Sequence, residues 1–146
     1  MTKPNILLVG IPASGKSTLC AKLAELGYAV ISTDAARAVL TGDPGVQHPW
    51  PEVWAVCMTM AAQAKTMGQP LVYDATNVVP KYRKAAFELD PDSAWEAWVL
   101  HTSVDEALRR NAARDRVVPE PVIRGMAAAL VMPSTEEGFT VVRHLQ

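Results

Sequence analysis

The amino-acid sequence predicts an α/β protein with a mostly parallel sheet of four or five strands and helices on both faces. Two observations predict this fold. Short apolar runs alternate with segments whose apolar residues recur at helical spacing, which is typical of a parallel sheet covered on both sides. A glycine-rich segment, residues 10–18, separates the first apolar run from the first helical one. In such folds this position is the carboxyl edge of the sheet, where ligands bind.

Four short apolar segments predict strands, and a fifth predicts a terminal strand. They are residues 5–10, 28–32, 70–74, 94–101 and 138–145. The fourth carries Trp95 and Trp98, and we assign both rings to the core because large aromatic residues are mostly buried.

Helical spacing or helix-end signals mark six further segments. They are residues 17–26, 34–40, 52–67, 81–89, 103–113 and 119–131. Gly27 follows the first helix as a C-terminal glycine, and Ser103 with Glu106 fits a capping box at the fifth. Glycine and proline gather in residues 41–51, which we predict to be the loosest region.

Composition limits the classes of function. A chain of 146 residues predicts a single domain over residues 1–146. The net charge of −1 produces no global attraction for polyanions, so a nucleic acid would have to meet a local basic patch. Cys20 and Cys57 have no metal-site or redox spacing, which predicts reduced, buried thiols in a cytoplasmic protein. No apolar stretch is long enough for a membrane span, and nothing indicates an oligomeric state.

The segment "GIPASGKST" fits the phosphate-binding pattern of glycine, four residues, glycine, lysine and serine or threonine. Glycines let backbone N–H groups point into one concavity, and the following helix offers its positive N-terminus. Lys16 would reach the β- and γ-phosphates, and the Ser17 hydroxyl would ligate Mg²⁺. The predicted ATP-binding residues are Gly10, Ala13, Ser14, Gly15, Lys16, Ser17 and Thr18. We therefore predict a P-loop fold that binds ATP, or another NTP, with Mg²⁺; the alternative is an ordinary glycine-rich turn.

Missing motifs favour phosphoryl transfer over hydrolysis. The D-x-x-G and N-K-x-D patterns of switch GTPases do not occur. The third strand ends in Asp74-Ala75, whereas motor ATPases often end a buried strand in Asp-Glu, where the glutamate activates water. Transfer to an acceptor requires a base and contacts for that acceptor.

Asp34 is the candidate general base, because it follows the second strand and stands at the same sheet edge as the P-loop. The alternative is a helix N-cap, and both roles are compatible. Arg37 lies about one helical turn further on. It would hold an acceptor anion, or else be a solvated arginine.

Five of the fourteen Lys and Arg residues lie between Arg109 and Arg124. Arg110 and Arg114 are four residues apart, so we place them on one helix face, where a phosphate between them explains two repelling charges. They predict a lid over residues 109–118 that neutralises charge during transfer, with Arg114 as a catalytic residue. The alternative is a basic solvated face, which we favour for Arg109 and Arg116.

Four blocks in order resemble the 5′-hydroxyl polynucleotide kinases of phages and bacterial RNA-repair enzymes: "GIPASGKST", "STDAAR", "DATNV" and "RRNAARDRVVPEPVIRGM". The resemblance implies the 5′-OH end of DNA or RNA as the acceptor, with Asp34 as base. It implies Arg37 on the phosphate 3′ of the acceptor nucleotide, and Asp74 supporting the metal through water, with Asn77 nearby at the acceptor. Arg110 and Arg114 would be the lid arginines. Many members carry a further repair module in the same chain. The 146 residues here leave no room for one, so we expect a stand-alone kinase.

Two other functions remain open from the sequence. A P-loop kinase could act on a small molecule or a modified nucleobase, since one fold hosts many acceptors. A nucleotide-binding module without transfer is the alternative from another class, although pure binding needs neither Asp34 nor the lid arginines.

Overall fold

Five parallel strands form one sheet in the computed structural model, which describes residues 3–146. In chain order they are β1 (Asn5–Val9), β2 (Ala29–Ser32), β3 (Leu71–Asp74), β4 (Trp95–Leu100) and β5 (Val141–Leu145). Their spatial order is β2-β3-β1-β4-β5. The predicted α/β fold with a parallel sheet is therefore confirmed, and the terminal strand pairs with β4.

Six α-helices connect or follow the strands. They are α1 (Lys16–Glu25), α2 (Thr33–Thr41), α3 (Trp50–Thr66), α4 (Pro80–Ala86), α5 (Val104–Ala112) and α6 (Glu120–Ala129). Short 3₁₀ turns cover Phe87–Leu89 and Thr135–Glu137. The segment predicted as one helix over residues 81–89 is thus an α-helix that tightens into a 3₁₀ turn, a common ending for a helix.

The central strand β1 is buried on both faces, which explains the unbroken apolar run of residues 6–9. Ile6 and Leu8 pack toward α1, against Cys20 and Leu23. The alternate residues of the strand pack on the other face, in the cluster that contains Val53 of α3. Helices therefore cover both sides of the sheet, as predicted, and hold β1 and the segment after it in a fixed place.

Buried residues include both cysteines and one of the two tryptophans assigned to the core. Trp95 is buried, whereas Trp98 is partly exposed and packs against the α1 side of the sheet. Cys20 and Cys57 are buried and form no disulfide, in agreement with the prediction of buried free thiols.

The strand order creates a switch point between β1 and β3. The connection from β1 passes β3 to reach β2, whereas the connection from β3 passes β1 in the opposite direction to reach β4. The two connections diverge and leave a crevice at the carboxyl ends of these neighbouring strands, the usual ligand site of an open α/β sheet. The P-loop follows β1 and Asp74 ends β3, so both lie at this crevice.

Within residues 3–146, no helix combines the length and the apolar character that a membrane span requires.

Candidate active site

The P-loop has a backbone that only small residues allow. Gly15, just before α1, has φ 102°, and Ala13 has φ 64°, both in the left-handed region. A Cβ atom on Gly10 would lie 2.6 Å from Oγ of Ser14, so a side chain there would intrude into the loop. The loop therefore keeps a concave backbone, the shape that a phosphate group fills.

Neighbouring loops hold the P-loop in place. The Gly10 N–H donates to the Thr76 carbonyl beyond β3 at 3.0 Å. The Thr102 hydroxyl beyond β4 donates to the Ser14 carbonyl at 3.2 Å. These two bonds tie the loop to the carboxyl ends of both strands that flank β1, which makes it a preorganised binding site.

Lys16 folds back over the P-loop. Its Nζ donates to the carbonyl oxygens of Gly10 and Ile11, both at 2.9 Å. Burial, with a smaller effect of the nearby Arg114, lowers the pKa of Lys16 to about 8 against the opposing attraction of Asp74. The ammonium group is thus poorly hydrated, and the negative charge of nucleotide phosphates would stabilise it.

Asp74 closes the crevice on the β3 side. Burial raises the pKa of its carboxyl group, while Lys16 acts in the opposite direction. The thiol of Cys20 forms a hydrogen bond with this carboxylate, and burial raises the pKa of Cys20 to about 12, so this thiol stays protonated. Asp74 therefore lies within reach of the P-loop lysine, as expected of an acidic group that supports the phosphate site.

The chain's own groups suit a Mg²⁺ ion that arrives with a nucleotide. Ser17 and Asp74 line the same cavity. No cluster of three or more His, Cys, Asp or Glu side chains within residues 3–146 could hold a metal ion alone. Mg²⁺ usually takes one or two protein groups, substrate phosphate oxygens and water, and this pattern fits the two residues. The metal assignment of Ser17 and Asp74 stays a prediction.

Asp34 lies in the first turn of α2 and is not its N-cap. The cap is Ser32, whose Oγ accepts a hydrogen bond from the Ala35 N–H at 3.2 Å. The N-cap alternative for Asp34 is therefore wrong, because the chain enters the helix two residues earlier than the sequence pattern suggested. The carboxylate instead forms ion pairs with Arg37 and, at 3.0 Å, with Arg116.

Arg116 is the functional candidate that sequence reasoning missed. We favoured a solvated face for it, yet its guanidinium reaches from the segment after α5 to the Asp34 carboxylate. The two residues are 82 positions apart, so no local pattern could indicate this pair.

The lid arginines do not share a helix face, so that prediction is wrong. Helix α5 ends at Ala112, before Arg114. The side chain of Asn111, in the last turn of α5, binds the chain beyond this end: its amide donates to the Val118 carbonyl at 2.7 Å and its oxygen accepts from the Val118 N–H at 3.0 Å. Arg114 therefore lies on a loop whose two ends, Asn111 and Val118, are joined by hydrogen bonds.

Arg110 points over the P-loop although it is already paired. A Cβ atom on Gly15 would lie 3.8 Å from its Nη1. Its Nε donates to Glu106 at 2.8 Å, and Arg109 donates to the same carboxylate. Ser103 accepts from the Glu106 N–H, so one half of the predicted capping box is present while the Glu106 side chain binds arginines.

Asn77 has a structural environment. Its side chain is buried and donates to the Leu8 carbonyl at 2.8 Å, and its backbone has φ 49°. The buried Arg83 donates to the Asn77 carbonyl at 2.9 Å and forms a two-bond ion pair with Glu137. Asn77 lines the cavity, and its contact with an acceptor stays a prediction.

One cavity of about 1470 Å³ contains nearly all of these groups. Its lining joins the P-loop to the acceptor candidates Asp34 and Arg37 on one side and to the end of β5 on the other. Trp50, which sequence reasoning passed over, also lines it. The predicted site residues that line it are Ala13, Ser14, Gly15, Lys16, Ser17, Thr18, Asp34, Arg37, Asp74, Asn77, Arg110 and Arg114, and Arg116 lines it as well.

Fold and site together define a P-loop kinase-like, nucleotide-binding domain. The chain belongs to a family described as the AAA domain, whose model matches residues 6–133. None of the curated proteins compared matches this sequence.

Solved structures show the same fold at low sequence identity. A gluconokinase from Sinorhizobium meliloti 1021 is 19% identical with a TM-score of 0.61, over 97% of this chain and 81% of its own. A chain of the Pnkp1/Rnl/Hen1 RNA repair complex is 19% identical with a TM-score of 0.71, over 89% of this chain and 45% of its own. Kti12 from Chaetomium thermophilum, in complex with ADP-AlF3, is 14% identical with a TM-score of 0.68, over 97% and 88%.

Proposed function

We propose that this protein is an ATP-dependent kinase that transfers the γ-phosphoryl group to a hydroxyl, namely the 5′-OH end of DNA or RNA. The observation that carries the proposal is the position of Asp34. Its carboxylate stands between two arginines, in the same cavity as the P-loop lysine. A carboxylate next to cationic groups and a phosphate site is suited to an acceptor that carries a hydroxyl and an anion.

The transfer step uses these groups in defined roles. The acceptor oxygen attacks the γ-phosphorus, the bond to the β–γ bridging oxygen breaks, ADP leaves, and the hydroxyl proton passes to Asp34. Lys16 and the lid arginines Arg110 and Arg114 neutralise the charge on the transferring group. Mg²⁺ at Ser17, supported through water by Asp74, would add further charge compensation when bound. We assign the lid to residues 109–118, a segment in which hydrogen bonds join Asn111 to Val118.

An exposed aromatic ring supports a nucleotide acceptor. Trp50 is 51% exposed and lines the cavity, and its ring stacks on Trp54 with centroids 5.5 Å apart. A ring held in place by a second ring offers a stable face for a nucleobase, and stacking of this kind is tolerant of sequence. The likeness to a chain of an RNA repair complex agrees with this acceptor class.

A small-molecule kinase is the second candidate, favoured by the likeness to a gluconokinase across most of both chains. Arg37 and Arg116 would then hold an acceptor carboxylate. A binding module without transfer would leave Asp34 and the lid without a role.

Label transfer from γ-labelled ATP to a panel of acceptors tests these functions. The panel contains a 5′-OH oligonucleotide, a nucleoside 3′-monophosphate, the matching nucleoside, gluconate and no acceptor. We expect the first two to be labelled well and the nucleoside poorly, because Arg37 contacts the phosphate. Arg37→Ala should remove most of that difference in kcat/KM by weakening the better acceptor. Equal use of nucleoside and nucleotide, or labelling of gluconate alone, would contradict the polynucleotide assignment.

A further inference from the structure

The last turn of α5 contains a buried polar residue on an apolar face. Ala107 and Leu108 of this helix pack in a hydrophobic cluster that includes Ile11 of the P-loop. Asn111 follows them at helical spacing, so it lies on the same face, and it is only 4% exposed. An apolar residue would suit this position, because a buried amide costs free energy unless its polar groups are hydrogen-bonded. Asn111 therefore needs a role that the packing of α5 does not supply.

Both polar groups of the Asn111 side chain bind the backbone of one residue, Val118. The amide donates to the Val118 carbonyl at 2.7 Å, and the oxygen accepts from the Val118 N–H at 3.0 Å. The side chain of Val118 packs against the cluster that contains Ile11. Residues 112–117 thus form a loop whose two ends are joined to each other and rest on the same cluster as the P-loop.

This loop carries arginines to two different parts of the cavity. Burial and, less strongly, the charge of Arg114 lower the pKa of Lys16, so Arg114 lies close to the P-loop lysine. Arg116 donates to the Asp34 carboxylate at 3.0 Å, in the first turn of α2. Both arginines line the cavity. One loop conformation therefore sets the position of both guanidinium groups.

The ion pair of Arg116 with Asp34 is too exposed to fix the loop by itself. The two side chains are 44% and 47% exposed, and ion pairs at exposed positions contribute little to stability. Asn111 is buried, and its polar groups would be left without partners if the loop moved away. The Asn111–Val118 bonds are therefore the stronger restraint on the loop.

We propose that Asn111 is a positioning residue for phosphoryl transfer, which holds residues 112–117 so that Arg114 and Arg116 are in place before a nucleotide binds. The inference rests on the proposed function and gives the lid a different mode of action, because its arginines are preorganised and are not brought in by closure. Charged groups that are fixed in advance stabilise a transition state effectively, since they need no reorganisation at the moment of reaction.

Amide hydrogen exchange tests the holding of the loop without an assay of activity. The Val118 N–H should exchange slowly in the free, unmodified protein, and MgADP should change its rate little. In Asn111→Ala the rate should rise about 10- to 100-fold, the effect of losing two hydrogen bonds. If the Val118 N–H of the unmodified protein exchanges rapidly and only MgADP protects it, the lid closes on the nucleotide and the inference is wrong.

Kinetics with the 5′-OH oligonucleotide test the effect on transfer. Asn111→Ala should lower kcat about 10- to 100-fold, because the loop is in place for a smaller fraction of the time. MgADP affinity should change little, since Arg114 acts on the γ-phosphoryl group that ADP lacks.

Asn5→Ala is the matched control, because it makes the same change at another buried asparagine. The Asn5 amide donates to Asp90 at 2.9 Å and its oxygen accepts from the Leu71 N–H at 2.8 Å. Asn5 begins β1, so it lies at the opposite edge of the sheet from the P-loop. This variant should lose stability but keep its kcat, measured well below its unfolding temperature.

Further results would overturn the inference alone, with the proposed function intact. They are an unchanged kcat or an unchanged Val118 exchange rate in Asn111→Ala, and an equal loss of kcat in Asn5→Ala, which indicates general destabilisation. If Asn111→Ala does not fold, Asn111→Asp replaces it, since it keeps the oxygen that accepts from Val118 and loses the donor. If the unmodified protein phosphorylates no acceptor, the proposed function fails and the role in transfer fails with it, whereas the exchange rates judge the holding of the loop separately.

Discussion

Nucleotide binding should take up a proton at Lys16 when the pH is above 8. In the free protein, burial lowers the pKa of Lys16 to about 8, from an ordinary 10.5. The phosphates of a bound nucleotide would favour the charged ammonium and return this pKa toward its ordinary value. The lysine that is largely neutral at pH 9 in the free protein would therefore be charged in the complex.

The size of the effect follows from these two values. Uptake should be about 0.9 proton per nucleotide at pH 9 and about 0.1 at pH 7, for a free pKa near 8 and a bound pKa near 10.5. Affinity should therefore fall about tenfold between pH 7 and pH 9, because part of the binding free energy protonates the lysine. The Cys20 thiol does not contribute, since its pKa is about 12.

Titration calorimetry with MgADP in buffers of different ionisation enthalpy measures the uptake. The slope of the observed enthalpy against buffer ionisation enthalpy gives the number of protons at each pH. Lys16→Arg is the matched control, because a guanidinium stays charged at pH 9. An uptake that does not grow between pH 7 and pH 9, or that grows equally in Lys16→Arg, would refute the interpretation of Lys16 as a desolvated phosphate ligand.

Three further predictions concern the base and the stability of the fold. Asp34→Asn should lower turnover by about 10²–10⁴ with MgADP affinity little changed, as for loss of a positioned general base; parallel kinetics and calorimetry check this, and a collapse of nucleotide affinity would instead assign Asp34 to metal or structure. Arg83→Met should cost about 3–5 kcal/mol in urea unfolding, because it leaves Glu137 and two carbonyls without their buried partner, whereas Arg124→Met at the exposed pair with Glu120 should cost under about 1 kcal/mol; equal losses would refute this difference. Stability should also fall as the pH drops below about 4.5, because the pKa values of three carboxyl groups are lower in the folded protein than their ordinary values of 3.8 for Asp90 and 4.5 for Glu96 and Glu137. Burial alone would raise these pKa values. Hydrogen bonds from Asn5, Trp98 and Arg83, respectively, outweigh burial and lower them. The folded state binds these protons more weakly than the unfolded chain, so a urea midpoint that stays constant from pH 7 to pH 3 would contradict the last prediction.

The strands and the P-loop could be predicted because their signals are local. The third strand, expected over residues 70–74, is Leu71–Asp74 in the structure, since the buried part of a strand covered on both faces is a short apolar run. The P-loop pattern likewise fixes its own backbone, as the left-handed Gly15 shows. These parts required no knowledge of distant contacts.

The missed features depend on partners far away in the sequence. Arg83 lies in "PKYRKAA", which has the composition of a solvated helix, yet it is fully buried and pairs with Glu137, 54 residues later. Arg116 meets Asp34 at the cavity only because the fold brings α2 next to the segment after α5. Asn111, in the last turn of α5, is a local signal for the end of this helix, because asparagine side chains bond readily to backbone groups outside helices, as the Val118 contacts show.

The place of β1 in the sheet has a consequence for how the chain folds. β1 precedes both of its neighbours in the sequence, and Ile6 pairs with Val72 on one side and with Glu96 on the other. Pairings of such long sequence separation give a high contact order and slow folding, because the loop-closure entropy is lost before the contacts form. During synthesis the P-loop segment emerges long before β3 and β4. A nucleotide can therefore stabilise this fold only after most of the chain has been made, and it cannot act as a template for the early steps.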